Sequence, residues 1–128
     1  MRSRRRRERT VDFETIVAEA LAQLPLEIQR RMENVQVVIA DWPTRAEMRR
    51  AGLGPHQTLF GLYEGVPLTE RTSGYHLVPP DKITIFEGPI AAAFRSPDEM
   101  REQVRRTVLH EVGHHFGMDE AQLRALDY

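Results

Sequence analysis

Residues 105–117 read Arg105-Arg106-Thr107-Val108-Leu109-His110-Glu111-Val112-Gly113-His114-His115-Phe116-Gly117. Upstream, Ser96-Pro97-Asp98-Glu99 has the chemistry of a helix start. A hydroxyl stands at the cap, a proline where no N–H is needed, and acids at the positive end of the dipole. Val104, Val108, Leu109, Val112 and Phe116 then recur at helical spacing and form one apolar stripe. Gly117 supplies a stop. The spacing predicts one helix from about Pro97 to about Phe116.

On that helix His110 and His114 lie four residues apart. Four residues turn about 400° and rise about 6 Å, so both rings project from one side. Two imidazoles so placed can reach one tetrahedral Zn2+ at about 2.0–2.1 Å. Glu111 lies about 100° further round the helix, beside the ion rather than on it. There a carboxylate can hold a water whose pKa the metal lowers, and take its proton. This is the H-E-x-x-H arrangement of zinc hydrolases. The competing reading is two surface or capping histidines with no metal. The helix, and its stop so soon after His114, favour the metal site.

The chain has no cysteine, which excludes thiolate metal sites and disulfides. Any metal must be held by His and carboxylates, and a zinc site needs a third protein ligand. The motif runs on through Met118-Asp119-Glu120. In the metzincin spacing H-E-x-x-H-x-x-G-x-x-H, the last ligand falls on position 120. Glu120 is therefore the first choice, with Asp119 the alternative. The bland reading of either acid is a residue at the start of a last short helix, favoured by its dipole. His115 lies about 100° from His114 and is expected to pack or support rather than ligate. His56 and His76 are expected in loops. Thr107 precedes His110 by one turn and is expected to pack. Met118 is no Met-turn, because only ten residues follow it.

At 128 residues the chain is one domain, with an ordinary 41% apolar and 29% charged composition. The net charge of -1 conceals an asymmetry: residues 1–9 carry +5, leaving -6 on the remainder. Residues 1–9 are expected to be a disordered basic tail, and residues 10–128 the domain. The tail could touch nucleic acid, although a plain solvated tail is the simpler expectation. No apolar run approaches the roughly 18 residues of a membrane span. No apolar segment follows the basic start, so the expected location is cytoplasmic. The oligomeric state is open.

Elsewhere, Phe13 to Leu24 has helical periodicity, with Asp12 as a cap and Pro25 as the end. Leu26 to Met32 suggests a second short helix, and residues 44–50 a polar helical turn closed by Gly52 and Gly54. Val35 to Ala40, Thr58 to Tyr63 and Ile83 to Phe86 read as strands, the last stopped by Gly88-Pro89. Gly65 to Pro80 reads as a long loop or loose hairpin, and Asp119 to Leu126 as a last helix. The expected fold is α+β: helices on a small mixed sheet, with the histidine helix near the C-terminus.

Three blocks carry a resemblance. They are Leu62 to Arg71, Asp81 to Ile90, and Arg105 to Gly117, within residues 10 to 126. The sequence resembles a bacterial metallopeptidase family of minimal zincin-like fold, with an H-E-x-x-H-x-x-G-x-x-D type motif. The resemblance implies a zincin half without the usual second subdomain. It implies His110 and His114 as ligands of one Zn2+ per chain, Glu111 as the base, and an acid at Glu120 where the family has Asp. The extra methylene of Glu keeps Asp119 in play.

The leading expectation is a zinc-dependent peptidase acting on a peptide or protein. Tyr75, His76 and Arg95 are its candidates for stabilising the oxyanion, and either Leu59 to Tyr63 or Ile83 to Phe86 could pair with an extended substrate. A second expectation is a metal-dependent RNase, because the Arg-rich tail suits RNA and one bacterial endoribonuclease family has a related short motif. Glu111 and Glu120 depart from that motif, which has Gly and His. A third is a non-catalytic metal- or partner-binding module, because a domain this small leaves an open cleft.

Overall fold

The computed structural model describes residues 12–54, 56–65 and 81–125, with the Glu120 side chain outside the description. The expected tail and most of the Gly65 to Pro80 loop, including Tyr75 and His76, lie outside the described residues. In chain order the elements are α1 (Phe13–Ala22), α2 (Leu26–Arg31), β1 (Val35–Ala40), α3 (Arg45–Arg50), β2 (Gly61–Glu64), β3 (Asp81–Phe86), α4 (Glu87–Ala93), α5 (Pro97–His115) and α6 (Glu120–Ala125).

The strands form a mixed sheet in the order β1-β3-β2. β1 runs parallel to β3 with Val37 opposite Ile83, and β2 antiparallel with Tyr63 opposite Ile83. β3 is thus central, and five of its six residues are buried. That explains its run of apolar residues where a half-exposed strand would alternate. The expectation of helices on a small mixed sheet holds. Ile83 and Ile85 join Phe13, Ile16, Val17 and Ala20 of α1 and Val104, Val108, Leu109 and Val112 of α5 in one core. α5 lies against α1 and β2, so the core fixes the helix that carries the histidines.

The sequence expectations need three corrections. Phe116 is 39% exposed and leaves the apolar stripe. It is the C-cap residue of α5, and the Arg31 guanidinium sits 5.3 Å from its ring centroid. Met118 and Leu123 fill the core in its place. β3 ends at Phe86 as expected, and Gly88-Pro89 lies in the first turn of α4, where a missing N–H costs nothing. β2 is shorter than Thr58 to Tyr63 and reaches Glu64. Asp12 stands at the N-cap of α1 but makes no side-chain cap bond; its carbonyl accepts from Thr15 and Ile16. Among the described residues no helix is long and apolar enough to cross a membrane.

Candidate metal centre and active site

α5 begins where its sequence says it should. Ser96 accepts from the Glu99 N–H at 3.1 Å, and Glu99 accepts from the Ser96 N–H at 3.2 Å, a reciprocal capping box. Near its other end His110 is half-buried and His114 exposed. Their ring centroids are 5.4 Å apart, with planes at 59°. Two imidazoles on one tetrahedral zinc, with Zn–N of about 2.0–2.1 Å, would have centroids about 5.2 Å apart. The pair therefore fits a shared ion.

Glu111 turns from the histidines towards the sheet. Its Oε1 accepts the backbone N–H of Tyr63 at 3.0 Å. The strand register explains why that N–H is available. Phe86 donates to the Phe60 carbonyl, so Phe60, Leu62 and Glu64 carry the β2–β3 hydrogen bonds. Gly61 and Tyr63 direct their amides to the outer edge. α5 comes against that edge because position 61 is glycine: a Cβ there would collide with the Thr107 methyl group. Among the described residues, Glu111 Oε2 has no hydrogen-bond partner.

Tyr63 is held in turn. Its hydroxyl donates to Asp81 Oδ2 at 2.8 Å, and its ring stacks on His115 with centroids 4.0 Å apart. Asp81 is buried, and its Oδ2 lies 3.6 Å from His115 Nε2. His115 is thus engaged with Tyr63 and Asp81. Sequence reading missed Tyr63 and Asp81 as supports of Glu111. They are 18 residues apart in the chain, and only the β2–β3 register brings them together.

After His115 the chain reverses in a Schellman turn. Met118 N–H bonds the Gly113 carbonyl at 2.8 Å, Gly117 N–H bonds the His114 carbonyl at 3.1 Å, and Gly117 has φ of +77°. The turn brings Asp119 and Glu120 back beside the end of α5. Asp119 Oδ1 accepts the Gln122 N–H at 2.8 Å, and Gln122 Oε1 accepts the Asp119 N–H at 2.8 Å. Asp119 is thereby occupied as the cap of α6. Glu120 is the first residue of α6. Among the described residues no three His or carboxylate side chains converge on one point.

Residues 32–128 match the sequence profile of the zincin-like metallopeptidases. The chain belongs to that family. No curated protein matches the chain closely enough to narrow the assignment. Membership implies a hydrolase with a zinc cofactor. The match starts at Met32, so α1 and α2 precede it, although α1 forms much of the packing surface for α5.

Beside His110 and Glu111 of this zincin-like metallopeptidase lies an open cavity of about 280 Å³. Leu59 and Gly61 form one wall, and Gln103, Arg106, His110 and Glu111 the other. Thr107 takes part in the wall, its hydroxyl accepting from Gln103 at 3.0 Å. The Glu102 carboxylate accepts from Arg105 at 2.9 Å and from Arg106 at 3.3 Å. The Arg105 hydrogen bond holds Glu102 below its ordinary pKa. Of the oxyanion candidates, Arg95 precedes α5, about 20 Å along the axis from His110, and cannot serve. His56 is exposed.

Proposed function

We propose that the protein is a zinc-dependent peptidase in which His110, His114 and Glu120 hold the metal and Glu111 is the general base. The observation that carries this is the pairing of two imidazoles at ligand spacing with a neighbouring carboxylate docked on a sheet edge. Glu120 stands where the family motif has its third ligand and is the first choice, with Asp119, whose Oδ1 caps α6 and whose Oδ2 accepts no bond in that cap, the alternative. Bound zinc would supply Lewis acidity and a water of lowered pKa.

The chain's own residues account for the rest. Tyr63 N–H fixes one carboxylate oxygen of Glu111, which leaves Oε2 to take a proton and later deliver it to the leaving amine. β3 is paired on both sides, so Ile83 to Phe86 offers no edge. The outer edge of β2 is covered by α5, whose Glu111 takes the Tyr63 N–H, so an extended peptide would enter the cavity between Leu59, Gly61 and α5 rather than add a strand to the sheet. The expected site of action is the cytoplasm, which rests on the sequence alone.

Zinc content and peptide-library cleavage, measured on the wild type and Glu111→Gln, test the reading. Gln keeps an acceptor for the Tyr63 N–H and removes the base. Cleavage should fall by about 10²–10⁴-fold with zinc retained. Stoichiometric zinc with no turnover by the wild type would make the protein a binding module instead, and RNA cleavage would make it a nuclease.

A further inference from the structure

A second cavity, of about 670 Å³, lies away from the histidines. Its lining includes Trp42, Arg45, Met48, Arg49, Leu53 and Gln57. That volume is in the range of cavities that hold a ligand or a short peptide segment. Trp42 is 61% exposed, the most exposed aromatic of the described residues. It is nevertheless fixed on one side. A Cβ at Gly88 would collide with its indole ring, and Gly88 N–H bonds the Asp41 carbonyl at 2.7 Å. Glycine at 88 thus lets the indole lie against the start of α4, and a pre-positioned aromatic loses little freedom on binding.

Arg45 and Arg49 lie one turn apart on α3, both exposed, and neither has an ion-pair partner among the described residues. Two of the neighbouring charges are committed elsewhere, while Asp41 adjoins Trp42 in the chain. Glu47 accepts the Thr44 N–H in the capping box of α3, and Arg50 pairs with Glu64. Among the described residues no acidic side chain lines the cavity. Met48 and Leu53 give it apolar lining. An aromatic face, an apolar lining and two unpaired guanidiniums suit an apolar side chain flanked by carboxylates.

We infer that this cavity is a docking site for an acidic peptide segment carrying an apolar side chain, contributed by the substrate outside its scissile residues. A polyanionic nucleic acid strand fits less well, because the lining offers two guanidiniums among apolar side chains rather than a track of cations along a phosphate backbone. Gln57 lines this cavity and Leu59 the one beside Glu111, and the Cα atoms of these two residues are at most about 7 Å apart. From Tyr63 to Gln57 the chain spans at most about 20 Å, the reach of about six extended residues. The substrate assignment rests on the peptidase reading; the binding itself does not.

The chain's single tryptophan is Trp42, so its fluorescence reports on this cavity alone. The experiment titrates the full-length Glu111→Gln protein with a blocked five-residue peptide alternating Asp and Leu, with its Lys-for-Asp counterpart, and with an eight-nucleotide oligo-uridine. A saturable change with the acidic peptide, weakened about tenfold or more in Arg45→Glu/Arg49→Glu and by added salt, is the expected result. Both arginines are exposed and unpaired, so the variant keeps the fold, which circular dichroism checks. No saturable change, equal affinity for the Lys peptide, or tighter binding of the oligonucleotide would overturn the inference. If the wild type cleaves no peptide, the peptidase reading fails while this titration still decides the cavity.

Discussion

Gly113 lies inside the histidine motif, yet its role is in packing. A Cβ there would collide with Leu123 Cδ2 and stand 3.2 and 3.3 Å from its Cγ and Cδ1. Leu123 is fully buried, so its whole isobutyl group has nowhere to move. Two effects oppose each other in Gly113→Ala. Helix propensity favours alanine by about 0.8–1.0 kcal/mol, and overpacking costs about 1–3 kcal/mol. The net expectation is destabilisation of about 1 kcal/mol, or about 4 °C in Tm for a chain of this size. Leu123→Ala alone should cost about 2–5 kcal/mol through the cavity it opens. In that background the clash is gone, so adding Gly113→Ala should stabilise by up to about 1 kcal/mol. The change of sign corresponds to a coupling of about 1–3 kcal/mol. Urea unfolding of the four proteins, with unchanged m values, measures it. If Gly113→Ala stabilises both backgrounds equally, Leu123 does not pack on Gly113 as described.

Three further outcomes are expected. Glu120→Ala should lose zinc on dialysis against a weak chelator, whereas Asp119→Ala should keep it and lose about 1 kcal/mol of stability as a missing cap; the opposite pattern would exchange the two assignments. Tyr63→Phe removes the hydroxyl bond to Asp81 and should lower stability by about 1.5 kcal/mol, with a fall in kcat larger than any rise in KM. An unchanged kcat would show that Tyr63 does not steady Glu111 through its ring. The third concerns Glu87, whose pKa is raised by burial first and by the charges of Asp41 and Asp12 second. A carboxyl with a raised native pKa makes folding less stable as pH climbs through it, since the native state then holds more protons than the unfolded one. Glu87→Gln should therefore raise Tm at pH 7, with the gain vanishing below the ordinary carboxyl range near pH 4.5. A gain that persists in acid would refute the electrostatic cause.

Elements with a local cause could be read from the chain. α5 follows from the Ser96–Glu99 capping box, its apolar stripe and Gly117, and the structure has it at Pro97–His115. β1 and β3 follow from β-branched runs, and the ligand spacing of His110 and His114 from the pitch of a helix. Gly88-Pro89 marked the end of β3, but the short helix α4 that follows was not legible, because it depends on the packing of Ile90 in the core.

What the sequence by itself determined is thus periodic and local: the α+β class, the long helix, and two imidazoles on one face of it. The tertiary structure alone decided which strand is central, that Tyr63 N–H meets Glu111, and that Asp81 and His115 hold Tyr63. Those contacts join residues 18 to 52 positions apart, and no short-range preference encodes them. Strand register sets them, and register is fixed by burying Ile83 and Ile85 in the shared core.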